Sequence, residues 1–99
     1  MRKIQSIYAV TPGSLWADRS AQGRTVLITA IDGRHAICTT LTNSYDVQRI
    51  VNNPSLGNAR DMRGTTHRIH LDRFRPTHNG FEFVTATAHH LSALLSGTR

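Results

Sequence analysis

Cysteine, acidic side chains and long apolar runs are all scarce in this chain of 99 residues. The single cysteine, Cys38, excludes an intramolecular disulfide and a metal site made of cysteines alone. Because Cys38 lies within the apolar residues 36–38, we expect a packed core thiol in a reducing cytosol. No apolar run is long enough to span a bilayer, and polar residues interrupt the basic N-terminus. Neither a transmembrane helix nor a secretion signal is therefore expected.

The length and composition predict one small globular domain. Apolar residues make up 38% and charged residues 18% of the chain. This apolar fraction is modest, but the charge is too low for a disordered tail. A chain of this length forms one domain with a modest core. We therefore assign residues 1–99 to a single domain and expect it in the cytoplasm.

Positive charge is in excess. Twelve lysine and arginine residues against six acidic residues give a formal net charge of +6, and Lys3 is the only lysine. A GC-rich genome is an alternative explanation for the preference for arginine. It does not explain the excess of positive charge, which favours anionic partners. Arginine also offers a planar fork of donors that suits phosphate and carboxylate groups.

The excess is concentrated in two segments, residues 1–34 and 60–75, each with five basic and two acidic residues. In the second segment, a predicted strand would expose Arg68 and His70, and a loop would add further arginines. Such a surface is typical of phosphate contacts rather than of base readout. The predicted nucleic-acid-binding residues are Arg60, Arg63, Arg68, His70, Arg73 and Arg75. The alternative is a solvated strand edge that is kept basic to prevent edge pairing.

β-Branched runs and turn signals alternate along most of the chain. The predicted strands are residues 14–18, 25–31, 36–42, 65–71 and 80–84, with a tight helical turn at 71–74. Asp32 and Gly33 form a preferred hairpin turn. A two-residue turn would pair Ile28 with Ile37, and a four-residue turn would shift that register.

This pattern predicts a mainly β fold with a small SH3-like barrel of about five short strands over residues 10–84. Apolar residues at helical spacing predict a short C-terminal α-helix over 85–96. The chain is expected to be a monomer, or a weak homodimer through this helix. The first ten residues could form a short strand or an ordered arm. The predicted core residues are Trp16, Val26, Ile28, Ile37, Ile69, Leu71, Phe81 and Phe83.

Residues 43–64 are predicted to be a long loop insertion because asparagine, glycine and proline interrupt the strand pattern. One apolar island around Ile50 could form a single helical turn. Long loops tend to be functional or mobile, and we expect residues 52–64 to be the most mobile part. Tyr45 opens the insertion, and this exposed aromatic is a candidate partner-binding residue.

No arrangement typical of catalysis or metal binding is recognised. His67 and His70 are three residues apart, which places them on opposite faces of a strand, and His89 and His90 diverge on a helix. The acidic residues are scattered singly, and the glycines are turn formers rather than a phosphate loop. We therefore predict no catalytic residue, no metal site and no cofactor.

Four stretches of the chain form a recognisable set of motifs: residues 10–18 (VTPGSLWAD), 23–25 (GRT), 31–33 (IDG) with Ala36, and 68–77 (RIHLDRFRPT) before Gly80 and Phe81. Together they resemble a small family of uncharacterised actinobacterial and actinophage proteins. The family pattern is GxxWxD…GRT…VDGxxA…RIRxxRFxPTxxGY. The resemblance implies a phage or actinobacterial origin and a small barrel, and it transfers no catalytic residue. The chain departs from the family in the 43–64 insertion and in the C-terminal helix.

Two functions follow as hypotheses. The first is a non-enzymatic accessory protein, phage-encoded, that binds DNA or RNA through its arginine-rich surface in the host cytoplasm. The second is a protein-interaction module that grips a host protein with the insertion and one face of the barrel. The net charge favours the first, whereas the absence of aromatic residues interleaved with basic ones favours the second.

Overall fold

A computed structural model describes residues 10–86, which form a five-stranded antiparallel sheet with one α-helix. The strands are β1 (Leu15–Asp18), β2 (Thr25–Asp32), β3 (His35–Thr42), β4 (Thr66–His70) and β5 (Phe81–Thr85). Their order in the sheet is β4-β3-β2-β1-β5, so the last strand returns to lie beside the first. A single 3-10 turn, Leu71–Arg73, follows β4. The predicted mainly β class, the five strands and this helical turn are confirmed, and the sheet is open, with β4 and β5 at its edges.

The β2–β3 hairpin turns one residue later than the Asp32-Gly33 signal indicates. Asp32 pairs with His35, so the two turn residues are Gly33 and Arg34. Gly33 takes a positive φ of 61°, as the first position of a type II′ turn requires. An irregularity between Ile28 and Ala30 then shifts the pairing of β2 with β3 by one residue, as a β-bulge does.

The hairpin register decides which residues of β3 face the core. Ile28 pairs with Cys38, whereas a two-residue Asp32-Gly33 turn would have paired it with Ile37. Ala36 and Cys38 are fully buried, and Ile37 between them points to the opposite face because side chains alternate along a strand. The prediction that Ile37 belongs to the core is therefore wrong, and the prediction that Cys38 is a packed core thiol is confirmed.

One cluster of apolar side chains forms the core. Its members are Trp16, Val26, Ile28, Ala36, Cys38, Ile69, Phe74 and Phe81. Leu71 and Phe83, which were expected in the core, are only partly buried and pack against it. Phe74 was not expected there. It lies after the 3-10 turn, where its ring stacks on Phe81 at 5.1 Å and meets Trp16 edge-on at 5.1 Å.

The insertion contains more regular structure than the sequence indicated. Helix α1 spans Tyr45–Asn52, two turns rather than the expected single turn, and a 3-10 turn covers Pro54–Leu56. Ser44 caps α1 because its hydroxyl accepts a hydrogen bond from the backbone N–H of Val47. No residue of α1 is buried, so the helix adds little to the core.

The buried side chain of Asn43 ties the two ends of the insertion together. Its amide nitrogen donates to Gln48 and Asp61 at 2.8 and 3.0 Å, and its oxygen accepts from the backbone N–H of Met62 at 2.9 Å. The backbone N–H of Gly64 donates to Thr40, which returns the chain to β3 before β4 begins.

Two predictions concern residues that lie outside the described part of the chain. These are the N-terminal arm and the C-terminal helix of residues 85–96, of which only Thr85, the last residue of β5, and Ala86 are described. Within residues 10–86, no helix is long and apolar enough to cross a membrane.

Candidate nucleic-acid interface

The tip of the β2–β3 hairpin meets the end of β4, and this junction gathers charged residues from four elements. The backbone N–H of Leu71 donates to the carbonyl of Arg34 at 2.8 Å, which holds the 3-10 turn against the hairpin tip. His35 pairs with His70 across the β3–β4 ladder. We call this area the tip surface; it consists of Asp32, Arg34, His35, Arg68, His70, Asp72 and Arg75.

Arg68 lies between the carboxylate of Asp32 and the imidazole ring of His35. Its Nη1 donates to Asp32 at 2.6 Å, and its Nη2 donates to Nδ1 of His35 at 3.3 Å. The ion pair is exposed, because the two side chains keep 54% and 64% of their surface accessible. Exposed pairs of this kind contribute little to stability and exchange easily for another anion.

The remaining arginines of the tip surface are less constrained. Arg34 is exposed, and its guanidinium makes no ion pair or hydrogen bond within the described residues. Arg75 approaches Asp72 only at 3.9 Å, the outer limit of an ion pair. Both guanidinium groups are therefore available to an anion from solution.

The two histidines face each other on the outer side of the sheet. Their rings meet edge to face, with centroids 5.2 Å apart. Nδ1 of His70 accepts a hydrogen bond from the backbone N–H of Asp72 at 3.1 Å, which caps the 3-10 turn. Nδ1 of His35 accepts from Arg68, since a guanidinium has no acceptor atom.

The other predicted site residues lie elsewhere. Arg73 turns toward β5, where its guanidinium lies 5.3 Å from the centre of the Phe81 ring and its Nε donates to the carbonyl of Asn79. Arg60 and Arg63 precede β4, at the opposite end of a five-residue strand that is about 14 Å long. The structure therefore brings Arg68, His70 and Arg75 together, but not Arg60, Arg63 or Arg73.

Arg63 is also neutralised locally. Its Nε and Nη2 donate to the two carboxylate oxygens of Asp61 at 2.9 and 2.5 Å. These hydrogen bonds, with one from Asn43, hold the pKa of Asp61 well below its usual range. Arg60 is exposed and has no such partner in the described part of the chain.

His67 takes no part in the tip surface, as the alternation of side chains along β4 predicted. It pairs with Cys38 on the inner face of the sheet and lies 2.8 Å from the hydroxyl of Thr65. Burial, and secondarily the charge of Arg24, lowers the pKa of His67. Across residues 10–86, no three His, Cys, Asp or Glu side chains are close enough together to hold a metal ion.

Tyr45 belongs to a second site, at the end of the β2–β3 hairpin opposite the tip. Its side chain is 68% exposed, and its ring lies against Gly23, where an added Cβ would come within 2.7 Å of it. The ring borders an open groove of about 800 Å³ between residues 17–23 and the start of α1. The charged residues along this groove are Asp18, which pairs with Arg24, and Arg19, Asp46 and Glu82, which form no ion pair among the described residues.

Sequence reasoning missed Arg34 and His35 as members of the site. Both lie in or next to the hairpin turn, 35 residues from His70 in the chain, and only the β3–β4 register joins them. A signal was present, because the hairpin tip Asp32-Gly33-Arg34-His35 has two basic side chains beside the predicted turn. That signal says nothing about which strand lies opposite.

Comparisons with known proteins leave the site to be interpreted from its geometry. No family model matches the chain, and no curated protein and no solved structure matches it. The resemblance to actinobacterial and actinophage proteins therefore stays a prediction.

Proposed function

We propose that this protein is a non-enzymatic, cytoplasmic nucleic-acid-binding protein whose tip surface contacts the phosphate backbone. The observation that carries this proposal is the presence of Arg34, Arg68 and Arg75 at one exposed junction, where two of the three guanidinium groups are unpaired or weakly paired among the described residues. Guanidinium groups bind phosphate oxygens through paired, charge-assisted hydrogen bonds.

The chemistry of the surface favours backbone contacts over base recognition. Trp16 is fully buried, so it cannot stack on a base. The tip surface itself offers arginines and histidines but no Phe, Tyr or Trp ring. Phosphate contacts fix position and carry no direct sequence information, so we expect binding with little sequence preference.

The test is a salt titration of duplex and single-stranded oligonucleotides with matched arginine variants. If three arginines each neutralise one phosphate, log affinity should fall with log salt at a slope of about −2.7 on duplex DNA. Arg34→Ala should reduce the magnitude of this slope by about one. Arg49→Ala is the control, because Arg49 is an exposed arginine of α1 with no ion pair in the described region. Equal effects of the two variants, or no binding, would contradict the proposal.

The effect of Arg68→Ala is harder to interpret than that of Arg34→Ala, because it changes two interactions. Removing its guanidinium also leaves Asp32 without a counterion beside the site. We therefore expect Arg68→Ala to weaken binding more than Arg34→Ala does, because the added repulsion accompanies the lost contact.

The groove beside Tyr45 supports a second candidate function, binding of a host protein. An exposed tyrosine ring next to a groove with unpaired carboxylates fits a basic protein segment. Under this alternative, Tyr45→Ala abolishes capture of a partner from nuclease-treated lysate, and Arg34→Ala does not. Under the first proposal, nuclease treatment removes whatever is captured.

The finer description of the fold is also a proposal. An SH3-like barrel is supported by the position of β1 between β2 and β5, the irregularity in β2 and the 3-10 turn between β4 and β5. Such barrels host both nucleic-acid and peptide binders, so this fold is compatible with either function.

A further inference from the structure

The β2–β3 hairpin joins two surfaces of opposite charge, the tip surface at one end and an acidic groove at the other. The groove is lined by residues 17–23 and 44–46 and by Glu82, and we call it the Tyr45 groove. We infer that the tip surface of one copy of the chain docks into the Tyr45 groove of a second copy. Such self-association goes beyond nucleic-acid binding and does not require it.

The hairpin tip protrudes and presents an unbalanced positive charge. A Cβ added to Gly33 would meet no atom within 4 Å, so this turn projects into open space. Three arginines against two aspartates give the tip surface a formal charge of +1 while its histidines are neutral. The two aspartates lie beside Arg68 and Arg75. The charge that remains unbalanced is therefore that of Arg34, which is exposed in the turn itself.

The Tyr45 groove is unbalanced in the opposite sense. It is lined by three carboxylates and one guanidinium, and Arg24 pairs with one of the carboxylates, which leaves a formal charge of −1. The other two carboxylates, those of Asp46 and Glu82, are exposed and form no ion pair within residues 10–86. The lining guanidinium is that of Arg19, which donates to the carbonyl of Pro76 rather than to either of them.

The groove offers the groups that an arginine side chain binds. The ring of Tyr45 is 68% exposed beside the two unpaired carboxylates. A guanidinium is attracted to the face of an aromatic ring, and a nearby carboxylate adds charge-assisted hydrogen bonds. A volume of about 800 Å³ is in the range that encloses a molecule of many atoms, so it accommodates a two-residue turn as well as one side chain. Arg34 at the end of a protruding hairpin fits these requirements.

The distance between the two surfaces makes the contact intermolecular. Strand β2 begins at Thr25, two residues after Gly23 of the groove, and ends at Asp32 of the tip surface. An eight-residue strand is about 25 Å long, which is more than an arginine side chain can reach. Arg34 therefore reaches only the groove of another copy. The contact is heterologous, because each of the two copies contributes a different surface to it.

Self-association can be measured on the full chain without nucleic acid. In sedimentation equilibrium at low salt, the average mass should rise above that of one chain as the concentration increases, with a Kd on the order of 1 mM or tighter. Salt at about 0.5 M should weaken this association because it screens exposed charges. Amide chemical shifts should change with concentration at both surfaces, around Arg34 and around Tyr45.

Matched variants test the two halves of the contact separately. Arg34→Ala removes the guanidinium of the tip, and the double substitution Asp46→Asn and Glu82→Gln removes the charges of the groove while keeping its shape. We expect each variant alone to associate at least about tenfold more weakly than the parent. An equal mixture of the two should form a heterodimer, because one variant keeps the groove and the other keeps the tip. Arg60→Ala is the control, since Arg60 is exposed and lies outside both surfaces; it should associate like the parent.

The outcomes decide the inference independently of nucleic-acid binding, which is titrated at concentrations far below those of self-association. A parent chain that stays monomeric up to about 1 mM overturns the inference. Association that both variants retain also overturns it, and is the result expected for a dimer through the predicted C-terminal helix. A mass that stops at two chains and one that keeps growing both support the contact, because a reciprocal pair and an open chain use the same two surfaces. If the double variant fails to fold, concentration-dependent shifts of the parent that omit either surface contradict the inference.

Discussion

The buried ion pair between Asp18 and Arg24 provides the sharpest test of the structure. Asp18 is 6% exposed at the end of β1, and it accepts hydrogen bonds from the backbone and hydroxyl of Ser20 as well as from Arg24 at 2.7 Å. Arg24 also donates to the buried hydroxyl of Thr40 at 3.2 Å. The pair therefore joins β1 to β3 across the start of β2.

Asp18→Asn removes the charge that compensates a largely buried guanidinium. Breaking a buried pair in this way costs about 3–5 kcal/mol, and the partial exposure of Arg24 places the expected loss near 3 kcal/mol. In a domain of this size, that loss lowers the melting temperature by more than about 10 °C. Circular dichroism and the fluorescence of the buried Trp16 should report the same transition.

The matched control is Asp32→Asn, which removes an aspartate of equal charge from the exposed pair with Arg68. Water already solvates that pair, so its loss should change the melting temperature by no more than about 2 °C. If the two variants melt alike, Asp18 is not buried as described and the reasoning fails.

The effect of Asp18→Asn should also depend on pH. Burial raises the pKa of Asp18, but the hydrogen bonds from Ser20 and Arg24 outweigh this effect and leave the pKa lowered. A lowered pKa stabilises the folded state above the unfolded value of about 3.9, and that stability is lost as the pH falls through the folded-state pKa. The difference between parent and variant should therefore shrink below about pH 4.

Three further predictions concern the core and its surroundings. Phe81→Ala should cost about 3–5 kcal/mol because the ring is fully buried, whereas Phe83→Ala should cost less; urea unfolding would contradict this if the order were reversed. Burial raises the pKa of the Cys38 thiol to about 11, so a thiol reagent at pH 8 should modify it only after unfolding, and rapid labelling of the native protein would refute its burial. Gly23→Ala should lower the melting temperature and displace the Tyr45 ring, because Gly23 has a φ of 96° and lies against that ring. Changed NMR chemical shifts of the tyrosine ring would report the displacement, and a variant as stable as the parent would disprove the contact.

Much of the strand layout could be predicted from the sequence because the signals are local. The β-branched residues of β2 and β3, the turn between them and the stop imposed by Pro76 act over a few residues each. The register could not be predicted in the same way. Ile37 is more apolar than Ala36, yet Ala36 faces the core, because the turn position and the shift after Ile28 set the face.

Helix α1 was underestimated although its signals were present. Ser44 is a good N-cap, Asp46 suits the first turn, and Val47 and Ile50 have helical spacing. The asparagines and glycines that follow obscured this pattern. The site was predicted only in part, since Arg68, His70 and Arg75 lie on one local stretch, while Arg34 joins them through tertiary pairing.

The hydrogen bonds of the buried Asn43 side chain have a consequence for how this fold can vary. The chain leaves β3 and returns to β4 at the same place, and one buried amide closes the excursion between them. Since no residue of α1 is buried, the sheet depends on this excursion mainly through Gln48 and Asp61, which bind the buried amide of Asn43. The segment between residues 49 and 60 is thus an exchangeable module, and replacing it with a foreign element of similar end-to-end distance should leave the sheet and its tip surface as they are.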